Sequence, residues 1–390
     1  MIPVQYNIRS LAVRKATTFA TGLGIALVVF VFAAALMLSA GIKKTLKVSG
    51  RDDVVLVMRK GSDNELSSNL EDTQLSLLKA TQGVKVRADG SPKGSGEVVM
   101  INGLEKVGAE GISNVQLRGL TDDGVQLRAS MKVVAGRAPK PGADEAMVGT
   151  RIRGRFKGTE LGQKIEVKKG RAIEVVGVFE DGGSSYESEV WMDLEVLRTS
   201  YARQGSISSV RLELESASRF EGARAAIESD KRLGLLAMRE SEYFEKQSEG
   251  TSLFINVLGT LIALFFSIGA MIGAMITMYS SIANRQKEIG TLRALGFSKS
   301  AILFSFLLES VVLSLAGGMV GLFGAIMLGT VKFSMLNFAS FSEMTFGFEP
   351  TPQVLFTALA FSAFMGLLGG FLPALRASRV SPILAMRGAA

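Results

Sequence analysis

Three long apolar runs toward the C-terminal end constrain this chain more than any other feature. Thr251 to Asn284 and Pro350 to Leu375 carry no charged residue, and Ala301 to Val331 carries only Glu309. A helix needs about 20 apolar residues to cross a bilayer, so all three are long enough, and residues 251–284 and 301–331 exceed the need. One polar stretch interrupts them: Arg285, Gln286, Lys287, Glu288, Ile289, Gly290, Thr291, Leu292, Arg293, Ala294, Leu295 and Gly296. The chain reads as an α-helical membrane protein, with that stretch as the place where function is transmitted.

Composition agrees once it is divided by region. Of the 390 residues, 47% are hydrophobic and 21% charged. Residues 43–249 hold 33 Lys+Arg and 32 Asp+Glu, so +7 of the net +8 falls in the apolar remainder. Such an excess orients a protein in a membrane; it is not a nucleic-acid footprint, and no nucleic-acid partner is expected. Cysteine and histidine are both absent. Disulfides, thiolate nucleophiles, Cys/His zinc sites and a Ser-His-Asp triad are therefore excluded. Carboxylate catalysis and magnesium or calcium sites stay open on composition, but no EF-hand loop and no G-x-x-x-x-G-K-[ST] loop occurs. The reading assigns no catalytic residue, no metal and no cofactor to this chain, which cannot bind ATP by that route.

Residues 1–15 place Val4, Ile8 and Leu11 on one helical face, followed by Arg14 and Lys15, as an interfacial helix on membrane lipid would. A plain juxtamembrane segment is the alternative. Residues 16–42 are uncharged and longer than the 7 to 15 residues of a signal-peptide core, so they read as an uncleaved transmembrane helix. Residues 43–249 form a soluble mixed α/β insert, long enough for two lobes. Asp53 to Met58, Glu97 to Ile101 and Ile173 to Phe179 have strand character, while Asn69 to Thr81, Glu189 to Tyr201 and Arg219 to Lys231 carry helical patterns. Arg151, Arg153, Arg155 and Lys157 form a basic run, either a solvated face or a docking surface for an anionic partner. Further transmembrane helices are expected at 251–284, 300–331 and 351–375. A polar loop at 285–299, a short outer loop at 332–350 and a tail at 376–390 complete the chain.

Orientation follows from basic residues in short segments. Arg9, Arg14 and Lys15, then Arg285, Lys287, Arg293 and Lys299, then Arg376, Arg379 and Arg387 mark three cytoplasmic segments. Four helices with both termini inside and the insert outside satisfy every count. Gly269 with Gly273, and Gly317 with Gly321, are small-xxx-small pairs. They read as packing within one bundle, with a subunit interface as the alternative. Charges inside an apolar run face protein or water, so Glu309 reads as a structural hydrogen bond or an interfacial position; a role in coupling or subunit packing is the other possibility.

Within the polar stretch, Ile289, Leu292 and Leu295 form a short apolar stripe, Gly296 is a natural C-terminal cap, and Ser298 can cap the next helix. A helix of this kind suits a groove on another protein, or else packs on its own bundle. Ser281 to Ser300, together with Leu307-Leu-Glu-Ser310 and Gly317-Gly-Met-Val-Gly321, resembles the permease domain of the MacB/FtsX/LolC-type (type VII, mechanotransmission) ABC transporters. The tail from Pro373 to Arg387 and the opening Asn7-Ile-Arg-Ser-Leu11 with Gly22-Leu-Gly24 fit the same family. Val134-Ala-Gly-Arg137, Glu145-Ala-Met-Val-Gly149 and Glu174-Val-Val-Gly-Val178 are similar to the MacB-type periplasmic core.

The resemblance implies four helices per subunit and a dimer, with a second permease copy that is either identical or a paralogue. It implies an extracytoplasmic domain on stalk extensions of the first two helices. Closure of a separate ABC ATPase pair, which holds ATP and Mg, would be passed through Arg285 to Leu295 into movement of the outer domains. Since the chain starts at the interfacial helix, the ATPase is expected on another polypeptide. The first functional reading is a non-catalytic permease in a bacterial inner membrane, exporting a periplasmic or outer-leaflet substrate with a membrane-fusion adaptor. An FtsX-like regulator of a cell-wall hydrolase and a LolC/LolE-like lipoprotein-release subunit are the alternatives within the family; a receptor with no ATPase is the alternative outside it.

Overall fold

The computed structural model describes residues 15–231, 233–337 and 340–380. Among them, four helices are long and apolar enough to cross a membrane: α1 (Lys15–Ser49), α6 (Glu240–Asn284), α8 (Lys299–Met327) and α9 (Pro352–Ser378). The expected interfacial helix, apart from Lys15, and the tail beyond Val380 lie outside the described residues. The chain divides into two compact units. One joins residues 1–41, 253–331 and 347–390, and the other joins residues 42–252 and 332–346.

In the apolar unit the helices meet where side chains are small. A side chain on Gly317 or Gly321 of α8 would run into the carbonyls of Gly22 and Ala26 on α1. Toward α9, a Cβ on Gly366 or Gly370 would overlap Ser314 or Ser310 of α8. The same serines tie the pair together. Ser310 Oγ donates to the Gly366 carbonyl at 2.8 Å, and Ser362 Oγ donates to the Ser314 carbonyl at 2.6 Å. Close backbone approach and interhelical hydrogen bonds are what holds helices together where lipid removes the hydrophobic driving force. Ile25, Val29, Ala33, Met37, Leu322, Ala358 and Met365 fill the centre of the bundle.

The soluble unit is built on a ten-stranded sheet. Its strands are β1 (Val54–Arg59), β3 (Gly94–Glu105), β4 (Ile112–Leu120), β5 (Lys132–Gly136), β6 (Glu145–Gly149), β7 (Lys164–Lys168), β8 (Arg171–Glu180), β9 (Glu189–Asp193), β11 (Ser209–Glu213) and β12 (Leu235–Arg239). The order is β12-β1-β11-β3-β4-β9-β6-β8-β5, with β7 also on β8. A two-stranded ribbon pairs β2 (Leu70–Glu71) with β10 (Ser206–Ile207). Helices α2 (Asp72–Lys79), α3 (Asp122–Gln126), α4 (Leu194–Tyr201) and α5 (Phe220–Ser229) pack beside the strands.

Side chains alternate between the two faces of each strand, and here both faces are buried with opposite chemistry. On one face Val55, Val57, Val115, Leu117, Val210 and Leu212 join Leu197 of α4 and Phe220 and Ile227 of α5 in an apolar core. The other face carries ions. Arg118 on β4 donates to Glu189 at 2.7 Å, Glu97 at 2.8 Å and Glu65 at 3.1 Å. Arg211 on β11 reaches Glu97 at 2.6 Å, Glu65 at 2.8 Å and Glu240 at 2.8 Å, and Arg128 pairs with Glu97 at 2.8 Å. Trp191 Nε1 donates to Glu189 at 2.7 Å, and Tyr186 Oη donates to Glu240 at 2.9 Å. All seven charged groups are buried. Glu240 is the first residue of α6, so the network grips the start of that helix.

Three sequence expectations are corrected. Glu189 to Tyr201 is a strand followed by a helix, because the buried, alternating run Glu189–Asp193 pairs with β4 and β6, and Asp193 then caps α4 through the amides of Glu195 and Val196. Helix α6 begins at Glu240, within the stretch assigned to the insert. Its first turns are polar and carry no hydropathy signal, yet Tyr243 and Phe244 are buried in the soluble unit. Residues 332–350 are not a simple loop: β13 (Lys332–Asn337) and β14 (Ser342–Gly347) pair as a hairpin, and β14 buries Met344 and Phe346.

Two consequences are measurable. Removing one partner from a buried ion cluster costs about 3–5 kcal/mol, so Arg118→Leu is expected to lower unfolding stability by that amount. Urea titration followed through Trp191, the sole tryptophan, reads it, and a loss below about 1 kcal/mol would contradict the account. The second consequence concerns pH. Burial opposes ionisation of Glu65, but Arg118 and Arg211 outweigh it and hold the carboxyl well below its ordinary range. A carboxyl depressed in the folded state contributes stability above its unfolded pKa, about 4.3 for glutamate, and that contribution is lost as the pH falls through the folded value. The urea midpoint should therefore be level between about pH 7 and 5 and decline below about pH 4.3; a midpoint that rises on acidification contradicts the assignment.

Candidate coupling site

Helix α6 runs unbroken for 45 residues, about 68 Å at 1.5 Å per residue. It stops at Asn284 only because Arg285 leaves helical geometry, and α7 (Gln286–Ala294) follows at once. Gly296 adopts φ +94, a left-handed conformation that favours glycine. That geometry lets the Phe297 amide reach the Leu292 carbonyl at 3.2 Å and the Gly296 amide reach the Arg293 carbonyl at 3.2 Å, which together form a Schellman closure. Ser298 Oγ then accepts from the Ala301 amide at 3.1 Å and starts α8. The polar stretch is thus a short helix with defined ends between two long ones.

Two buried charges anchor it. Arg285 is 7% exposed and Glu309 3% exposed, and they pair at 3.1 Å. Arg285 also lies 3.3 Å from Glu288 and stacks over the Phe306 ring at 5.2 Å. The pair joins the α6–α7 junction to the third turn of α8 and accounts for an ionisable group inside an apolar run. Ile289 is buried beside Met278, Ile282, Ile302, Phe306, Ala374 and Ala377, so α7 rests on α6, α8 and α9.

The expected apolar stripe divides. Ile289 and Gly290 face inward, Leu292 and Arg293 are half-buried, and Leu295 is 73% exposed. Gln286, Lys287, Glu288, Thr291, Ala294 and Gly296 are exposed with it. The outward surface of α7 is a charged and polar helix face ending in one large aliphatic side chain, chemistry that fits a groove on another protein.

The glycine pairs behave differently from each other. Gly317 and Gly321 take part in the α1–α8 contact described above, whereas a Cβ on Gly269 or Gly273 of α6 would meet nothing within 4 Å. Phe265, Phe266, Ile268, Ile272 and Ile276 around them are exposed. Hydropathy could not foretell this split, since both pairs have the same spacing. Nor could it find Arg285 as the partner of Glu309, because the two are far apart in sequence and meet only through helix packing.

Among the described residues no cluster of acidic side chains is arranged to hold a metal ion. Comparison with known proteins agrees with the architecture. The family model described as MacB-like periplasmic core domain matches residues 16–230, and that described as FtsX-like permease C-terminal matches residues 260–382. The uncharacterized ABC transporter permease YknZ of Bacillus subtilis is 25% identical over 98% of both chains. The macrolide export ATP-binding/permease protein MacB of Hahella chejuensis is 31% identical over 54% of this chain and 33% of its own length. The chain thus spans about a third of that relative. The solved periplasmic region of MacB from Actinobacillus actinomycetemcomitans is 12% identical and overlaps 53% of this chain and 98% of that one with a TM-score of 0.39. With the periplasmic-core model alone matching more than half of its residues, this chain is an ABC transporter permease of the MacB/FtsX family, a membrane protein carrying a mixed α/β extracytoplasmic domain.

Proposed function

We propose that this permease couples ATP hydrolysis on a separate ABC ATPase to movement of its extracytoplasmic domain and so drives export of a periplasmic or outer-leaflet substrate. The observation that carries the reading is α7. Its outward side is a charged and polar surface ending at the exposed Leu295, and its inner end is locked by the Arg285–Glu309 pair to the helices on either side. Force applied at α7 then reaches α6, which continues without a break to the ion network at Glu240. Both chain termini lie in the cytoplasm of a bacterial inner membrane, which puts α7 on the side where ATP is available. The MacB relatives, named for macrolide export, support the export direction, and a membrane-fusion adaptor would continue the path outward. A second permease copy, identical or paralogous, covers the open Gly269–Gly273 face of α6.

Three measurements test this. Lys287→Glu combined with Leu295→Asp changes only exposed positions and is expected to abolish stimulation of the ATPase while leaving the urea midpoint unchanged; full stimulation removes the coupling assignment. Glu309→Gln takes a buried carboxylate from Arg285 and should lower stability by about 3–5 kcal/mol, with an unchanged melting temperature in detergent as the contrary result. Co-purification from native membranes should retain an ABC ATPase, a second permease copy and an adaptor. Retention of a cell-wall hydrolase or a lipoprotein chaperone instead would redirect the reading to regulation or lipoprotein release.

A further inference from the structure

The basic run at 151–157 divides by function. Arg153 and Lys157 are exposed and pair with Glu160 and Glu105 at the surface, while Arg151 and Arg155 turn toward the β13–β14 hairpin. There a single carboxylate gathers the contacts. Glu343 of β14 is 5% exposed. It accepts from Arg155 Nη2 and Ser113 Oγ and lies 2.8 Å from Lys106 Nζ. Beside it, Thr345 accepts from Arg155 through its hydroxyl and from Arg151 through its carbonyl, and its amide donates to Ser188 Oγ at 3.3 Å. Asn114 Nδ2 donates to the Phe341 carbonyl at 3.0 Å. Burial opposes ionisation of Glu343, yet Lys106, Ser113 and Arg155 hold its carboxyl below the ordinary range. The anions this run pairs with, Glu187, Glu160, Glu343 and Glu105, all belong to the same chain.

The hairpin is also short of slack. Only Val331 separates β13 from the last helical turn after α8, and residues 348–351 separate β14 from α9. Four residues span at most about 14 Å. A hairpin held to the domain by Glu343 passes any larger displacement directly to α8 and α9.

We propose that the β13–β14 hairpin is a third arm of the extracytoplasmic domain, fixed to it by Glu343, through which movement of the domain is delivered to α8 and α9 as well as to α1 and α6. This rests on the mechanical reading above, so the test separates the two. The full-length permease, alone and with its ATPase, is studied as Glu343→Gln, as Arg155→Gln, and as Ser113→Cys with Glu343→Cys joined by a short bis-methanethiosulfonate. The chain has no cysteine of its own, so this reagent finds only the introduced pair. Hydrogen exchange at residues 340–347, measured without the ATPase, should rise at least tenfold in the Gln variants, and stimulated ATPase activity should fall several-fold. Cross-linking should restore both.

Unchanged exchange in both Gln variants would show that Glu343 is not the clamp. Fast exchange with full coupling would show an arm that carries no load, and a cross-link that abolishes coupling would mean the hairpin has to detach in each cycle. Any of these overturns the proposal. The α7 double variant is the control: if it leaves ATPase stimulation intact, the mechanical reading itself has failed, whatever the hairpin does.

Discussion

A segment that lies in hydrocarbon has no water to satisfy its backbone, so it must close its hydrogen bonds within itself. Everything in the apolar unit follows from that constraint. The four spans are helices, their mutual contacts rely on backbone approach at Gly317, Gly321, Gly366 and Gly370, and their few polar side chains find partners. Arg285 and Glu309 are the most demanding case. Either charge alone in that position would be costly; together they tie the junction of α6 and α7 to α8.

The soluble unit solves a related problem by other means. Its sheet buries both faces, and the second sets arginine and glutamate among aliphatic side chains such as Leu56 and Val99. Such a network is a weak source of net stability but a demanding one in geometry, since each group depends on several others. Glu240 belongs to it and opens α6; Ser49, at the end of α1, bonds to Ser185 in the loop that carries Tyr186. Both helices that leave the domain are therefore held by directional contacts at their exits. Apolar packing alone would let them slide more easily.

Both designs suit the coupling role proposed for this permease, in which force and not only packing has to be carried along the helices. Under that proposal the long helix α6, the charged hydrogen bonds at its two ends and the short helix α7 are the parts that would carry it. The hairpin between α8 and α9, tied to the domain by Glu343, would extend it to helices that hydropathy treats as plain membrane spans.

Much of this was legible in the residues. The uncharged runs require membrane helices because charge in hydrocarbon is expensive, and the regional charge balance separates a soluble insert from them. Gly296 and Ser298 mark the end of one helix and the start of the next because left-handed geometry and amide capping suit those side chains. Helix α6 could not be followed upstream of Thr251, since residues 240–249 are polar and owe their helical state to Tyr243 and Phe244 packing in the domain. The partners of Glu309, Glu343 and Arg118 were equally hidden, for they come from distant stretches and no periodicity relates them. Local sequence determined which segments must be helical, which must be buried in lipid and where the short polar stretch between two spans lies. Only tertiary structure decided which charge meets which, because a buried ion is stabilised by the geometry of its neighbours and that geometry exists only once the chain has folded.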